Sequence, residues 1–150
     1  MPKTIEFKDL ASLVGQEIGV SDWLEITQER VNQFAEATGD HQWIHVDVER
    51  ARRELGGTIA HGYLTVSLLP GLGAQLLTVN GVARGINYGS DKVRFTNMVK
   101  VGKRVRLRQK LLEAEPRAGG LQLKNLCTIE IEGEDRPACV AETITILYGE

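Results

Sequence analysis

Histidine is scarce in this chain: three in 150 residues, all between Thr38 and Gly62. Aromatic residues are few as well, at 5%. Cysteine is limited to Cys127 and Cys139. Two cysteines do not make a disulfide scaffold; they suit reduced thiols in a cytosolic protein or, at most, one bridge, and read as small buried hydrophobes. No apolar run is long enough to cross a bilayer, and MPKTIEFKDL lacks the apolar core of a signal peptide. A cytoplasmic protein with no membrane partner is expected. Lys and Arg number 18 against 20 Asp and Glu, for a net charge of −2. No basic arm or dense basic face stands out, so a nucleic-acid partner is not expected. There is no internal repeat, linker or low-complexity segment. Residues 1–150 are long enough to enclose a real core and are expected to form one domain.

What histidine there is falls in TGDHQWIHVDVERARRELGGTIAHG, Thr38 to Gly62. His41, His45 and His61 share this stretch with Asp40, Asp47 and Trp43. Ile44, Val46 and Ile59 flank them, and burying polar atoms among such neighbours is costly unless they find partners. Imidazole and carboxylate together can move protons near neutral pH, which makes the cluster a candidate site. His41 and His45 are four apart, the spacing of a zinc-binding helix. That pattern needs Glu after the first His on a continuous helix. Here Gln42 follows and Gly39 precedes, so no metal is expected. Gly81, Gly85 and Gly89 lack the strand–turn–helix setting of a dinucleotide fingerprint, so no redox cofactor is expected.

Along the chain, Phe7, Leu10, Leu13 and Val14 recur at helical spacing, predicting a short amphipathic helix that ends at Gly15. Val20 to Ile26 reads as a strand. Thr27 can cap the next helix, Glu29 suits its first turn, and Gly39 suits the left-handed residue that ends it. Asp47 can cap a second helix over 48–55, closed by Gly56 and Gly57. His61 and Gly62 then open the most apolar segment. Tyr63, Leu64, Val66, Leu68, Leu69, Leu72, Leu76 and Leu77 lie nearly all round a helix, which predicts burial. Pro70 predicts a kink or restart near Leu69. From Arg84 the period changes to that of long antiparallel strands: 85–89, 92–95, 103–115, a run from Leu121 to Ile131, and a last strand ending near Tyr148. The expectation is an α+β domain, a long antiparallel sheet wrapped about one buried central helix.

With these residues in hand, the chain resembles the MaoC-like dehydratase family, the (R)-specific enoyl-CoA hydratases of the hot-dog fold. FAEATGDHQWIHVD (34–47), TIAHGYLTVSLLPGL (58–72) and INYGSDKVRF (86–95) carry the match. Either Gly-Asp-x4-His or Ile-Ala-His-Gly alone is weak; the pair at this separation is specific. Many relatives have Asn-Pro where this chain has Gln42-Trp43; it resembles the short, single-domain branch that carries Trp-Ile-His. The resemblance implies that Asp40 and His45 form a dyad holding one water. It implies that the backbone N–H of Gly62 binds the thioester oxygen. Trp43, Ile59 and His61 are expected at the substrate. The implied reaction is hydration of trans-2-enoyl-CoA to (R)-3-hydroxyacyl-CoA by a homodimer in fatty acid metabolism. No cofactor is implied, coenzyme A being part of the substrate.

Each feature has a plainer reading. Gly-Asp is ordinary turn chemistry, and His45 alone reads as a satisfied core histidine. Both readings reverse once the second motif is present. His41 reads as structural or solvent-facing, His61 as a brace for its loop, and Trp43 as core or pocket wall. Arg84, Lys92, Arg94, Lys100, Lys103 and Arg104 either meet coenzyme A phosphates or line a solvated sheet edge. Two rival functions stand beside hydration. A hot-dog thioesterase would send the water to the carbonyl carbon. A non-catalytic acyl-thioester-binding subunit would have no need to keep both Asp40 and His45.

Overall fold

The computed structural model describes residues 2–150. Four long strands make its frame: β5 (Val82–Phe95), β6 (Arg104–Arg117), β7 (Gly120–Ile131) and β8 (Cys139–Gly149). All pair antiparallel, β6 with β7, β7 with β8, and β8 with β5. Alternation explains why they form a sheet with one dry face. Along β7, Leu123, Asn125, Cys127, Ile129 and Ile131 are buried, while the residues between them are half-exposed. Gly119 and Gly133, both with φ above +80°, turn the chain at the ends of β7.

Two short helices lie on the dry face: α4 (Gly62–Ser67) and α5 (Leu69–Gly73). The break between them falls at Leu68, as Pro70 in the first turn of α5 requires. Leu64, Leu69, Leu72 and Leu76 pack with Leu107, Leu111, Cys127, Ile129 and Ala141 in one core. Burying each such side chain stabilises the fold by roughly 1.5–3 kcal/mol. This is the hot-dog arrangement, an antiparallel sheet around a central helical segment. The segment is not buried all round, as its pattern predicts, because Tyr63 is 71% exposed.

Other elements depart from the sequence reading. Phe7–Leu13 is a 3-10 helix rather than an α-helix, and only Leu10 on it is buried. The strand expected over 20–26 is two pieces, β2 (Glu17–Val20) and β3 (Leu24–Glu25), both paired with β6. Ser21 separates them: its hydroxyl accepts the Leu107 N–H at 2.9 Å, doing the work of a ladder bond. The two strands expected before Thr96 are one, β5, with register shifts near Gly89 and Asp91. β1 (Lys3–Glu6) pairs in parallel with β4 (Leu77–Asn80), a contact with no sequence signal. Cys127 and Cys139 are free and buried. Among the described residues, no helix is long and apolar enough to cross a membrane.

Candidate active site

Four helices and one left-handed glycine set the site. α1 (Gln28–Thr38) is capped by Thr27, whose hydroxyl accepts the Arg30 N–H at 3.1 Å. It ends at Gly39, φ +83°, whose N–H reaches the Ala35 carbonyl at 2.8 Å. That left-handed residue turns the chain so that Asp40 starts a tight loop, its Oδ1 accepting the Gln42 N–H at 3.3 Å. A single turn follows, α2 (Trp43–Val46), carrying His45. Asp47 then caps α3 (Val48–Leu55), accepting the Arg50 N–H at 3.1 Å. The chain returns through Thr58 and Ile59 to His61, the residue before α4.

His45 is 7% exposed, and its Nδ1 lies 2.7 Å from the Ile59 carbonyl. A carbonyl only accepts, so Nδ1 carries the proton and Nε2 is left with a lone pair. His61 is 2% exposed; its Nε2–H donates to the Asp40 carbonyl at 3.0 Å, and its buried Nδ1 has no partner. The two rings stack with centroids 3.8 Å apart and planes 23° apart, and Phe34 packs on His61 at 4.8 Å. A carboxylate oxygen of Asp40 and one ring nitrogen each of His45 and His61 lie within 4.8 Å of one another. Asp40 is exposed while both histidines are buried.

A cavity of about 390 Å³ lies against this cluster, lined by His45, Ile59, Ala60, Gly62, Thr65, Phe95, Thr96, Asn97, Met98, Val99, Arg136 and Ala138. Gly62 begins α4, where first-turn N–H groups have no acceptor inside the helix. A Cβ at Gly62 would stand 3.0 Å from Cδ2 of Phe95, so a side chain there crowds the cavity wall.

Ile59 and Gly62 therefore reach the cavity beside His45. Two other expected contacts are placed elsewhere. Trp43 lies under the Arg50 guanidinium at 3.9 Å and is not on the cavity wall. His61 sits behind His45, not on the wall. His41 is exposed beside Glu36, at 3.4 Å. None of the six basic residues considered for coenzyme A phosphates lines the cavity. Lys92, Lys103 and Arg104 pair with Glu142, Glu134 and Glu132, and Arg84 covers Tyr148. The basic residue that does line it is Arg136, on the loop before β8. Sequence reasoning missed it, along with Phe95 and Met98, because loop and strand-end residues have no periodicity to mark them. Both thiols are buried: burial pushes Cys127 up, against a hydrogen bond shared with Thr143. Burial, aided by Cys127, pushes Cys139 up to about 11.

A family model described as "MaoC like domain" matches residues 9–125. The 3-hydroxyacyl-thioester dehydratase Z of Mycobacterium tuberculosis is 54% identical over 138 residues, 91% of each chain. Nodulation protein N of Rhizobium leguminosarum bv. viciae is 44% identical over 147 residues, 95% of this chain and 91% of that protein. The unliganded R-hydratase PhaJ1 of Pseudomonas aeruginosa superposes with a TM-score of 0.70 at 25% identity, over 91% of this chain and 83% of that one.

Proposed function

The chain belongs to the MaoC-like dehydratase family, and on that premise we propose that it is an (R)-specific enoyl-CoA hydratase, a cytoplasmic homodimer acting reversibly between trans-2-enoyl-CoA and (R)-3-hydroxyacyl-CoA. One observation carries the reading. The Asp40 carboxylate and a His45 nitrogen lie within 4.8 Å of each other, beside a cavity whose wall includes the helix-starting Gly62.

In the hydration direction the water sits between Asp40 and His45 Nε2. Its oxygen bonds to Cβ of the enoyl group, and its proton goes to the dyad. The Cα–Cβ π pair moves onto Cα and the carbonyl oxygen, where negative charge grows. The Gly62 N–H meets that charge at the positive end of α4. A proton from the dyad then reaches Cα, so atoms and charge balance over the cycle. The water is held on one face, so one enantiomer forms. The stacked rings of His45 and His61 favour proton transfer over metal binding: their centroids lie 3.8 Å apart and their planes within 23° of parallel, whereas an ion needs lone pairs that converge on one point.

A second copy is the proposed cover for β5. This strand closes one edge of the sheet and, among the described residues, pairs only with β8. Ile86, Tyr88 and Phe95 on it are 45%, 54% and 46% exposed. Such an edge invites another strand.

The test is crotonyl-CoA with two readouts. Loss of enoyl absorbance, with an (R) product on chiral chromatography, is the expected result. Release of free thiol instead makes the protein a thioesterase. No change in either readout makes it a binding subunit.

A further inference from the structure

We infer that Gln28 is the positioning residue for His45, an inference that rests on the dyad reading above. Gln28 is the first residue of α1, outside the three motif segments and 17 residues before His45. Its Nε2 donates to the His45 carbonyl at 2.8 Å and to Asn32 Oδ1 at 2.9 Å. Its Oε1 accepts from the Thr58 hydroxyl at 2.6 Å. The amide cannot be turned over, because that would set its oxygen against the His45 carbonyl.

These bonds close a circuit. Gln28 holds the main chain of His45, and Ile59 holds its ring through Nδ1 at 2.7 Å. Thr58, next to Ile59 and buried, ties that segment back to Gln28. The Ile59 N–H returns to the Ile44 carbonyl at 3.0 Å. The circuit matters because α2 is only four residues long. One turn is marginal alone, and its carbonyls have no partners inside it. Gln28 supplies the donor that the His45 carbonyl lacks. Without it the turn keeps its two bonds to Ile59 but loses the one on the His45 carbonyl, which lets Nε2 shift relative to Asp40. Small misplacements of a reacting group cost about 10²-fold in rate.

Steady-state hydration of crotonyl-CoA by the full chain tests this, below the melting temperature of every variant. Gln28→Glu keeps the size and the acceptor for Thr58 but loses both donated hydrogens. It should lower kcat by about 10–100-fold with KM changed less than about 3-fold. Thr58→Val, which keeps the shape and loses the hydroxyl, should lower kcat by about 3–10-fold, and Thr58→Ser should restore it. Should Gln28→Glu fail to fold, the Thr58 pair carries the same test. A folded Gln28→Glu protein with normal kcat overturns the inference. So does Thr58→Ser as slow as Thr58→Val, or a deficit that disappears on cooling, which is plain loss of stability. His45→Gln separates the two levels. If it is inactive while Gln28→Glu is normal, only the positioning role falls; if it is fully active, the dyad reading falls first.

Discussion

Gly62 combines two properties that one substitution removes together and two substitutions take apart. Its N–H is the donor proposed for the thioester oxygen, and its lack of a side chain leaves room beside Phe95. Gly62→Ala adds a Cβ and keeps the N–H. The added carbon would stand 3.0–3.1 Å from three atoms of the Phe95 ring. Ordinary contact between carbons is about 3.5–4.0 Å, so the ring must shift by roughly 0.5–1 Å. Phe95 is 46% exposed and stands edge-on to Tyr63 at 5.9 Å, so it has room to move at small cost. Gly62→Pro adds the same Cβ, deletes the N–H and puts the ring carbons Cγ and Cδ in its place. The backbone tolerates it: proline fits the first position of a helix, and His61 before it already has φ −61° and ψ 138°, the region a residue before proline prefers. The ratio of the two variants' kcat values with crotonyl-CoA therefore reports the loss of the N–H together with the ring carbon that replaces its hydrogen. Losing one oxyanion donor costs about 10²–10³ in kcat, or roughly 2.7–4 kcal/mol. Gly62→Pro should be slower than Gly62→Ala by that factor, with both proteins folded by circular dichroism. Equal rates in the two would refute the oxyanion assignment, whatever their level relative to wild type.

The dyad predicts that Asp40→Asn and His45→Gln each lower kcat by about 10²–10⁴, and that the double variant loses little beyond the worse single; additive losses in initial rates would separate the two roles. Ile86→Lys on the exposed β5 edge should turn a dimer, near twice the 16.6 kDa chain mass, into a monomer; a wild-type monomer in sedimentation at micromolar concentration removes the dimer itself. Burial pushes Glu130 up, but hydrogen bonds from Arg106 and Arg108 outweigh it and hold its carboxyl below the ordinary 4.5. Its folded state thus gains stability above that value and loses it as pH falls below, so Glu130→Gln should cost about 1 kcal/mol, roughly 2–4 °C in Tm, at pH 7. That gap should close in acid; thermal melts showing the same gap at pH 3 would contradict the ion-pair origin.

Local chemistry was legible wherever one residue acts on its own backbone. Thr27 and Asp47 cap their helices, Gly39 and Gly56 end them in the left-handed region, and Pro70 restarts the central helix. Each effect spans a few residues, so the sequence window contains its cause. The long strands were legible for a similar reason, since alternation is a local pattern. The failures need distant partners. Ser21 breaks a strand because Leu107, 86 residues away, offers an N–H to its hydroxyl. β1 is a strand only because β4 lies beside it. The same division runs through the candidate site. Asp40, His45 and Gly62 stand in recognisable spacing; His45 and Gly62 line one cavity, and the Asp40 carboxylate lies off its wall, within 4.8 Å of a His45 nitrogen. Gln28 is invisible in sequence: a glutamine in a first helical turn is ordinary, and its use appears only when His45 and Thr58 arrive on either side of it. Trp43 shows the converse. Its scarcity and its place between Asp40 and His45 suggested a pocket wall, yet on a one-turn helix it faces Arg50 two turns further along the chain. Groups that react can be found by type and spacing. Groups that hold them in place are chosen by the fold, and only hydrogen bonds between distant segments reveal them.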